Sequence, residues 1–231
     1  MTRVAIIVAA GRGERMGVPA KILAMLDGQP AISYSLRAAA ASNVDAIVVV
    51  AGPHTEERLR QIVEVLDTQL PVDIVLGGDR RQDSVLAGLR TAHALGATFV
   101  AVHDGARPLV SPLLFDQTLD AAAIHGAAIA ATPIVDTIKL VQDGMIEQTI
   151  PRDGLWAAQT PQAFAVRALF DAFEQAELRG LTVTDEAALF EALDWPVAIV
   201  PGDRANIKLT HAEDLELLDA LARSRREAGA Q

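Results

Sequence analysis

The sequence predicts an α/β fold with a mostly parallel, twisted β-sheet and helices on both of its faces. Apolar, strand-like runs recur along the chain with helical segments between them, which is the pattern of successive βαβ units. The runs 4–8 and 46–50 are apolar throughout, as expected for strands buried on both faces. The 231 residues are 51% hydrophobic and 22% charged, which provides for a sizeable core rather than disorder. We expect a single domain over residues 1–231.

The first predicted strand, Val4–Val8, runs directly into a loop of small and cationic residues. Small residues let backbone N–H groups approach an anion closely, and cations neutralise polyphosphate charge. The loop supplies both kinds of residue: Ala9, Ala10, Gly11, Gly13, Arg15 and Lys21. Its spacing matches neither G-x-G-x-x-G, because Met16 replaces the third glycine, nor G-x-x-x-x-G-K-[ST]. A glycine turn without a ligand is the alternative, but the two cations favour nucleotide binding.

Beyond this loop the alternation continues along the chain. The later segments with strand-like character are 46–50, 72–76, 98–102, 127–131 and 197–200. The segments with helical spacing are 30–41, 55–67, 83–95, 112–125, 161–179, 185–193 and 211–223. Thr184 is the predicted N-cap of the helix that begins at Asp185, and residues 225–231 are predicted to fray.

Polar residues follow the strands predicted at 72–76 and 98–102. In parallel sheets ligands bind at the carboxyl ends of strands, so these segments should meet the first loop in one cleft. Asp79 and Ser84 could line that cleft or simply cap the next helix. Asp104 could hold a divalent cation or form a turn bonded to its own backbone. We interpret His103 as a packing residue at the end of its strand.

Residues 136–152 break the pattern of strands and helices. Two short alternating runs flank Asp143-Gly144, which is a hairpin signal. A hairpin that interrupts an α/β domain should project from it. A surface flap and a dimer-forming arm are both open interpretations of the residues alone.

Composition excludes several classes of function. A formal net charge of −10 argues against non-specific nucleic-acid or anionic-membrane binding, although a few converging cations can still hold an anionic small molecule. The absence of cysteine excludes disulfides, thiolate zinc sites and cysteine nucleophiles. No membrane-spanning run or signal peptide is evident, and we expect a cytoplasmic protein.

Seven segments occur together in the order and nearly the spacing of one protein family. They are AAGRGERM with Lys21, GGDRRQDSVLAGL at 77–89, VHDGARP at 102–108, VDTIK at 135–139, PRDGLWAAQTPQAF at 151–164, TDEA at 184–187 and NIKLT at 206–210. Over residues 3–222 the chain resembles the 2-C-methyl-D-erythritol 4-phosphate cytidylyltransferases of the non-mevalonate isoprenoid pathway. The resemblance implies a Rossmann-like nucleotidyltransferase fold. It also implies that CTP and the polyol phosphate are joined, with Mg²⁺, into 4-diphosphocytidyl-2-C-methyl-D-erythritol and pyrophosphate.

The same resemblance implies roles for individual residues. CTP would be bound by Ala9, Ala10, Gly11, Gly13, Arg15, Lys21, Gly78, Asp79, Ser84 and Ala106. The polyol phosphate would be bound by Asp104, Arg107, Thr137, Arg152, Thr160, Thr184, Asp185 and Lys208. Catalysis would fall to Arg15, Lys21, Asp104 and Lys208, with Asp104 also approaching the metal. In this family the 136–152 arm pairs with a second subunit, so the resemblance implies a homodimer in which Thr137 and Arg152 serve the partner's site.

One departure from the family pattern concerns the loop lysine. The family usually has proline directly before it, whereas Ala20 separates Pro19 from Lys21 here. Lys21 keeps the usual distance to the Gly28 turn, and we assign the role to it.

Three other functions compete with this assignment. A ribitol 5-phosphate cytidylyltransferase shares most motifs, although TDEA and the GLW of 154–156 favour the methylerythritol enzyme. A sugar-1-phosphate nucleotidyltransferase using another base fits the 77–84 segment poorly. A nucleotide-binding regulatory module without catalysis would not need cations both where the leaving group departs and where the attacking oxygen approaches.

Overall fold

The computed structural model describes residues 1–11 and 21–229 of the chain. The strands are β1 (Arg3–Ala9), β2 (Met25–Leu26), β3 (Gln29–Pro30), β4 (Ala46–Ala51), β5 (Val72–Leu76), β6 (Phe99–Asp104), β7 (Ala127–Pro133), β8 (Ile138–Gln142), β9 (Met145–Ile150), β10 (Trp156–Ala165) and β11 (Ala198–Pro201). The α-helices are α1 (Ala31–Ala40), α2 (Glu56–Glu64), α3 (Arg81–Ala94), α4 (Pro112–His125), α5 (Val166–Leu178), α6 (Ala187–Glu191) and α7 (Ala212–Gly229), and a short 3₁₀ helix covers Lys21–Leu23.

Seven strands form the central sheet in the order β11-β7-β10-β6-β1-β4-β5. The pairs β6–β1, β1–β4, β4–β5 and β11–β7 are parallel, whereas β10 runs antiparallel between β6 and β7. The predicted α/β class with a mostly parallel sheet is therefore confirmed, and the arrangement is Rossmann-like.

The sheet is covered on both faces, as its apolar strands require. Successive strand residues point to opposite faces, so Ala5 and Ile7 of β1 enter one core while Val4 and Ile6 enter the other. The first core is closed by α1, α2, α4 and α7, and the second by α3, α5 and α6. All four of these β1 side chains are fully buried, which places β1 in the interior of the molecule.

Strand β10 is the main element that the sequence pattern did not predict. Residues 161–165 were expected to begin a helix, but they continue β10, and α5 begins only at Val166. The strand is paired on both sides and its register against β7 shifts between Ala158 and Gln162, where the Thr160–Pro161 peptide bond is cis. Pairing within the sheet, which local sequence does not reveal, decides the conformation of this segment.

Several predicted boundaries are also wrong. Strand β6 extends to Asp104 rather than ending at Val102, and α3 begins at Arg81 rather than near Asp83. Thr184 is not the N-cap of α6, because that helix begins at Ala187. Helix α7 continues through the part of 225–231 that the structure describes, which was predicted to fray; Arg225 there donates to the Leu109 carbonyl at 2.7 Å.

The predicted hairpin is present as a two-stranded ribbon, β8–β9, separate from the central sheet. Asp143 and Gly144 take φ values of 51° and 78°, the left-handed pair that a tight hairpin turn requires. Almost every residue of the ribbon is exposed. Over the described ranges, no helix has both the length and the hydrophobicity to span a membrane.

Replacing Gly88 of α3 with alanine should destabilise the protein. A Cβ at this position would lie 2.6 Å from Ile6 Cγ2 and 2.8 Å from Val50 Cγ2. Overpacking of this kind costs about 1–3 kcal/mol, more than the ~1 kcal/mol that alanine adds to helix propensity. Urea unfolding should show a lower midpoint for Gly88→Ala than for the exposed control Arg90→Ala. A Gly88→Ala protein more stable than wild type would contradict this packing argument.

Candidate active site

The carboxyl ends of β1, β5 and β6 lie along the same edge of the sheet. Val8 of β1 is paired with Asp104 of β6, and the end of β4 aligns with the ends of both β1 and β5. The loops that follow are tightly packed: a Cβ on Gly77 would lie 2.6 Å from the Ala10 Cβ. The three segments predicted to meet in one cleft are therefore adjacent.

Asp104 lies at the centre of a charged cluster on this edge. Its Oδ2 is 2.7 Å from Lys208 Nζ, its Oδ1 is 3.3 Å from Arg81 Nη2, and Arg107 Nε lies 4.0 Å away. Burial by itself would raise the pKa of Asp104, but the three cations lower it below the usual range of an aspartate. The carboxylate is therefore ionised and faces cations rather than its own backbone.

Arg81 and Glu186 extend the cluster towards α6. Arg81 Nη1 lies 2.6 Å from Glu186 Oε1, and Glu186 is only 1% exposed. Burial raises the pKa of Glu186, and Arg81 opposes this rise. The pair was not singled out from sequence. Both residues lie within quoted motifs, but nothing in a linear sequence shows that positions 105 apart are in contact.

The segment that carries Lys208 is fastened to the Asp104 turn. Leu209 N donates to the Ala106 carbonyl at 2.7 Å, and Arg107 Nη1 donates to the Asn206 carbonyl at 2.8 Å. Asn206 is fully buried and donates through Nδ2 to the Thr160 carbonyl at 2.8 Å. Sequence reasoning missed Asn206, whose role is to hold the backbone next to Lys208.

His103 and Thr160 lie beneath Asp104. The His103 ring is fully buried and lies 5.2 Å from the Phe115 ring, which agrees with its interpretation as a packing residue. It is also hydrogen-bonded, through Nδ1 to Thr160 Oγ1 at 3.0 Å and through Nε2 to the Arg107 carbonyl at 3.1 Å. Burial lowers the pKa of His103 to about 4, so the ring is neutral near pH 7.

Hydrogen bonds from side chains in the first turn of α3 close the loop that follows β5. The Ser84 hydroxyl lies 3.3 Å from the Gly78 carbonyl and 3.2 Å from the Arg80 carbonyl. Ser84 lies within α3 and is not its cap, and Asp83 accepts the Arg80 N–H at 3.2 Å. Asp79 is exposed on the loop.

Lys21 lies close to the segment that follows Lys208. Burial opposes the lowering of the Asp214 pKa, which results from the N–H groups of His211 and Thr210 and, to a smaller extent, from the charges of His211 and Lys21. Ala9 is buried at the end of β1, and Gly11 is exposed just beyond it. Gly13 and Arg15 lie outside the described residues, as do Pro19 and Ala20.

Four predicted substrate residues form no hydrogen bond or ion pair with the Asp104 cluster within the part of the chain that the structure describes. Within the described parts of the chain, Thr137, Arg152 and Thr184 make no hydrogen bond or ion pair with it, and all three are exposed. Arg152 instead donates to the Val135 carbonyl. Asp185 accepts from Gln162 Nε2 at 2.8 Å and from Ala188 N at 3.1 Å, so its carboxylate supports the start of α6.

The cluster suits the binding of an anion rather than a preassembled metal site. Among the described residues, Arg81, Arg107 and Lys208 form ion pairs with the two carboxylates of Asp104 and Glu186. No group of three or more metal-ligating side chains occurs within residues 1–11 and 21–229. Cations beside a glycine-containing loop, on the ligand-binding edge of a Rossmann-like sheet, suit the binding of a phosphorylated ligand such as a nucleotide.

Comparison with known proteins identifies the particular family. The sequence profile of IspD, 2-C-methyl-D-erythritol 4-phosphate cytidylyltransferase, matches residues 3–224. The enzyme of that name from Parasynechococcus marenigrum is 44% identical over 96% of this chain and 98% of its own length. The enzyme from Pelotomaculum thermopropionicum is 43% identical over 96% of this chain and 94% of its own length. The chain therefore belongs to the 2-C-methyl-D-erythritol 4-phosphate cytidylyltransferase family, as its seven motifs predicted.

Solved structures lead to the same family. The 4-diphosphocytidyl-2C-methyl-D-erythritol synthase of Anaerococcus prevotii is 31% identical, with a TM-score of 0.84 over 96% of this chain and 98% of that one. The 2-C-methyl-D-erythritol 4-phosphate cytidylyltransferase of Thermus thermophilus is 32% identical, with a TM-score of 0.80 over 96% of this chain and 100% of that one. Family members transfer a cytidylyl group from CTP to the polyol phosphate and release pyrophosphate in isoprenoid synthesis.

Removing Arg81 should destabilise the fold much more than removing its neighbour Arg80. Arg81→Ala leaves Glu186 and Asp104 buried without their shared partner, which we expect to cost about 3 kcal/mol of unfolding free energy. Arg80 forms an exposed ion pair with Asp83 at 2.6 Å, and exposed pairs contribute little to the free energy of unfolding. Denaturant unfolding of both variants compares the two arginines directly. Equal stabilities would show that Arg81 does not compensate the buried carboxylates.

Proposed function

We propose that the carboxyl edge of β1, β5 and β6 carries the cytidylyl transfer from CTP to 2-C-methyl-D-erythritol 4-phosphate. The observation that supports this most strongly is the position of Asp104 between Lys208 and Arg81, beside the loops after β1 and β5. The sequence motifs assign CTP to those two loops and the polyol phosphate to the Lys208 side. Asp104 and Lys208 are themselves among the residues that the motifs assign to the polyol phosphate.

The chemistry of the transfer explains why cations rather than a base dominate this site. The attacking group is an oxygen of the substrate's own phosphate, whose second pKa of about 6 leaves it ionised at neutral pH. No protein base is therefore required. The site must align the attacking and leaving oxygens and stabilise the charge that develops on the α-phosphate. We assign stabilisation to Arg15, Lys21 and Lys208.

Arg107 is well placed to bind the polyol phosphate. Its Nη1 is engaged with the Asn206 carbonyl, but its buried Nε has no hydrogen-bond acceptor within the described part of the chain. A buried donor without an acceptor costs free energy until an acceptor arrives. An oxygen of the substrate would satisfy it.

Two other assigned residues, Thr160 and Asp185, already have protein partners. We expect Thr160 to act mainly by supporting Asp104, and Asp185 by supporting α6.

Asp104 also fits one protein ligand of Mg²⁺. This ion is commonly held by one or two carboxylates together with substrate phosphates and water, and Asp104 offers one ionised carboxylate where the phosphates are assigned. When bound, the ion would neutralise phosphate charge. The chain's own residues hold the carboxylate ionised, through Lys208 and Arg81.

The cytosine is assigned to the tightly closed loop after β5. A Cβ on Gly78 would lie 2.5 Å from the Asp83 Cβ, so the loop has no room for a side chain there. Gly78 and Asp79 are both exposed, and we assign hydrogen bonds with the base to their backbone groups. The Ser84 hydroxyl holds the loop by donating to the Gly78 carbonyl.

Pyrophosphate release with CTP and Mg²⁺ tests the proposed function. We expect strong release with 2-C-methyl-D-erythritol 4-phosphate and little with ribitol 5-phosphate at equal concentration. Preference for ribitol 5-phosphate would support cytidylyl transfer but contradict the proposed substrate. CTP binding without release in either reaction would contradict catalysis and favour a regulatory module.

Lys21→Ala should reduce turnover far more than it reduces stability. Loss of one charge-stabilising donor typically costs ~3 kcal/mol of barrier, or about a hundredfold in kcat. The control is Arg58→Ala, which removes an exposed cation of α2 bonded to Gln61. A Lys21→Ala enzyme with near-wild-type kcat would remove Lys21 from the mechanism.

We also propose that residues 1–231 form one domain and that the 136–152 arm pairs two copies of the chain. The ribbon exposes a group of large apolar side chains. The exposed fractions of Leu140, Val141, Met145 and Ile146 are 43%, 53%, 73% and 65%. Clustered exposed apolar residues mark interaction surfaces. The pairing would bring Thr137 and Arg152 to the partner's site, which would explain why neither contacts the cluster of its own chain.

Light scattering tests the dimer. We expect a dimer for wild type at micromolar concentration and a monomer for Ile146→Asp, with a raised KM for the polyol phosphate. Leu113→Asp is the matched control, because Leu113 is equally apolar and 61% exposed but lies on α4. A monomeric wild-type protein would overturn the proposal.

A further inference from the structure

We propose that a cleft beside α7 is a second anion site, which binds a small organic phosphate and thereby weakens the binding of the polyol phosphate at the transfer site. The α7 cleft lies between α1, the turn that joins β2 to β3, residues 108–110 and the second half of α7, and its volume is about 470 Å³. Small-molecule sites commonly have this size. None of its lining residues belongs to the Asp104 cluster or to the sites assigned from motifs. Ligand binding here is independent of the proposed function, and only its effect on the polyol phosphate rests on that function.

Three arginines make the α7 cleft positive on a strongly negative chain. Arg37 belongs to α1, and Arg225 and Arg226 belong to α7. Asp27 is the acidic residue of the lining, so the lining carries a formal charge of +2, whereas the whole chain carries −10. Guanidinium groups present paired N–H donors that match phosphate oxygens. The cleft therefore suits a phosphate group.

Arg37 provides the donors that a ligand would engage first. Its guanidinium lies 4.9 Å from the centroid of the Tyr34 ring, a stacking contact that leaves the N–H groups available. Within residues 1–11 and 21–229, no carboxylate pairs with it. Among the described groups, Arg226 is bonded through Nε alone, to Asp27 at 3.2 Å, and its side chain is 65% exposed. Both arginines thus retain donors for phosphate oxygens.

The rest of the lining is largely apolar, which narrows the class of ligand. Pro108, Leu109, Val110 and Ala222 are buried and form an aliphatic wall. A ligand that fills the cleft needs an anionic head for the arginines and an aliphatic body for this wall. Small aliphatic phosphate esters have both.

Hydrogen bonds hold the walls of the α7 cleft in place. The Asp27 N–H donates to Asp219 Oδ1 at 2.6 Å, which joins the β2–β3 turn to α7. The Tyr34 hydroxyl donates to the Leu26 carbonyl at 2.9 Å, which joins α1 to β2. A ligand would enter a preformed site and lose little affinity to rearrangement.

Arg225 connects the α7 cleft with Arg107 at the transfer site. It donates through Nη1 to the Leu109 carbonyl at 2.7 Å, and its Nη2 pairs with Asp203 at 3.0 Å. The Asp203 carbonyl accepts the Asn206 N–H at 3.0 Å, and the Asn206 carbonyl accepts from Arg107 Nη1. Both contacts of Arg225 therefore hold segments that lead to Arg107.

A bound phosphate would compete with these contacts of Arg225. A charged phosphate oxygen is a stronger acceptor than the Leu109 carbonyl, and the pair with Asp203 is about half exposed and therefore weak. Release of Arg225 would loosen the segments that hold Arg107 and Lys208, two of the groups assigned to the polyol phosphate. The ligand should therefore raise the KM for the polyol phosphate.

Isothermal titration calorimetry of the full-length protein with n-butyl phosphate tests the site. Arg37→Ala should weaken binding at least about tenfold, because a charged hydrogen bond to phosphate is lost. Arg58→Ala is the matched control, because it removes an exposed cation of α2 outside the cleft, and it should bind as wild type does. Inorganic phosphate should bind more weakly than n-butyl phosphate, and n-butanol should not bind measurably. Equal affinities for the two phosphates would contradict an organic ligand.

Initial rates of pyrophosphate release test the link to the transfer site. Saturating n-butyl phosphate should raise the KM for the polyol phosphate about fivefold and leave kcat within about twofold of wild type. The rise should reach a plateau, because a ligand at a second site changes affinity by a fixed factor, whereas a competitor raises KM without limit. Arg37→Ala should have the KM of wild type without the ligand and should respond to it only at much higher concentration.

Four results would overturn the proposal. Unchanged affinity in Arg37→Ala would remove the α7 cleft as the binding site, and binding without a change in KM would remove its effect on the transfer site. A KM that rises without a plateau, or equally in wild type and Arg37→Ala, would place n-butyl phosphate at the transfer site. If the wild type released no pyrophosphate, the proposed function would fail, and calorimetry would still decide whether the cleft binds organic phosphates.

Discussion

The buried, ionised carboxylate of Asp104 is the constraint on which the functional edge of this protein depends. A charge removed from water must be compensated by partners, and breaking such a pairing is strongly destabilising. The compensation here comes from Arg81, Arg107 and Lys208, which belong to different segments of the chain. Folding around one carboxylate therefore brings these three cations together at one edge of the sheet.

This arrangement resolves an apparent conflict between composition and function. The chain carries a formal charge of −10, yet its substrates are anions. Cations outnumber carboxylates locally, at the edge where Arg81 also holds Glu186. An overall negative charge disfavours unspecific binding of nucleic acid, and under the proposed function the local cations would stabilise the charge that develops in the transition state.

Sequence alone predicted the parallel core and the adjacency of the carboxyl ends of β1, β5 and β6, because runs such as β1 and β4 are determined by local pattern. It failed for β10, whose conformation depends on two partner strands, and for Thr184, because the cap was inferred without knowing that Asp185 supports the first turn of α6. Most individual site residues came from family motifs rather than from periodicity. Arg81, Glu186 and Asn206 were missed because their importance lies in contacts between distant segments.

The most direct test of this account is the turnover of Asp104→Asn across a range of Mg²⁺ concentrations, with folding checked by near-UV circular dichroism. The substitution keeps the shape of the side chain and removes the charge around which Lys208 and Arg81 are arranged. The account predicts a folded protein whose kcat is lower by about a hundredfold or more at every Mg²⁺ concentration. A folded Asp104→Asn enzyme with near-wild-type kcat would contradict it.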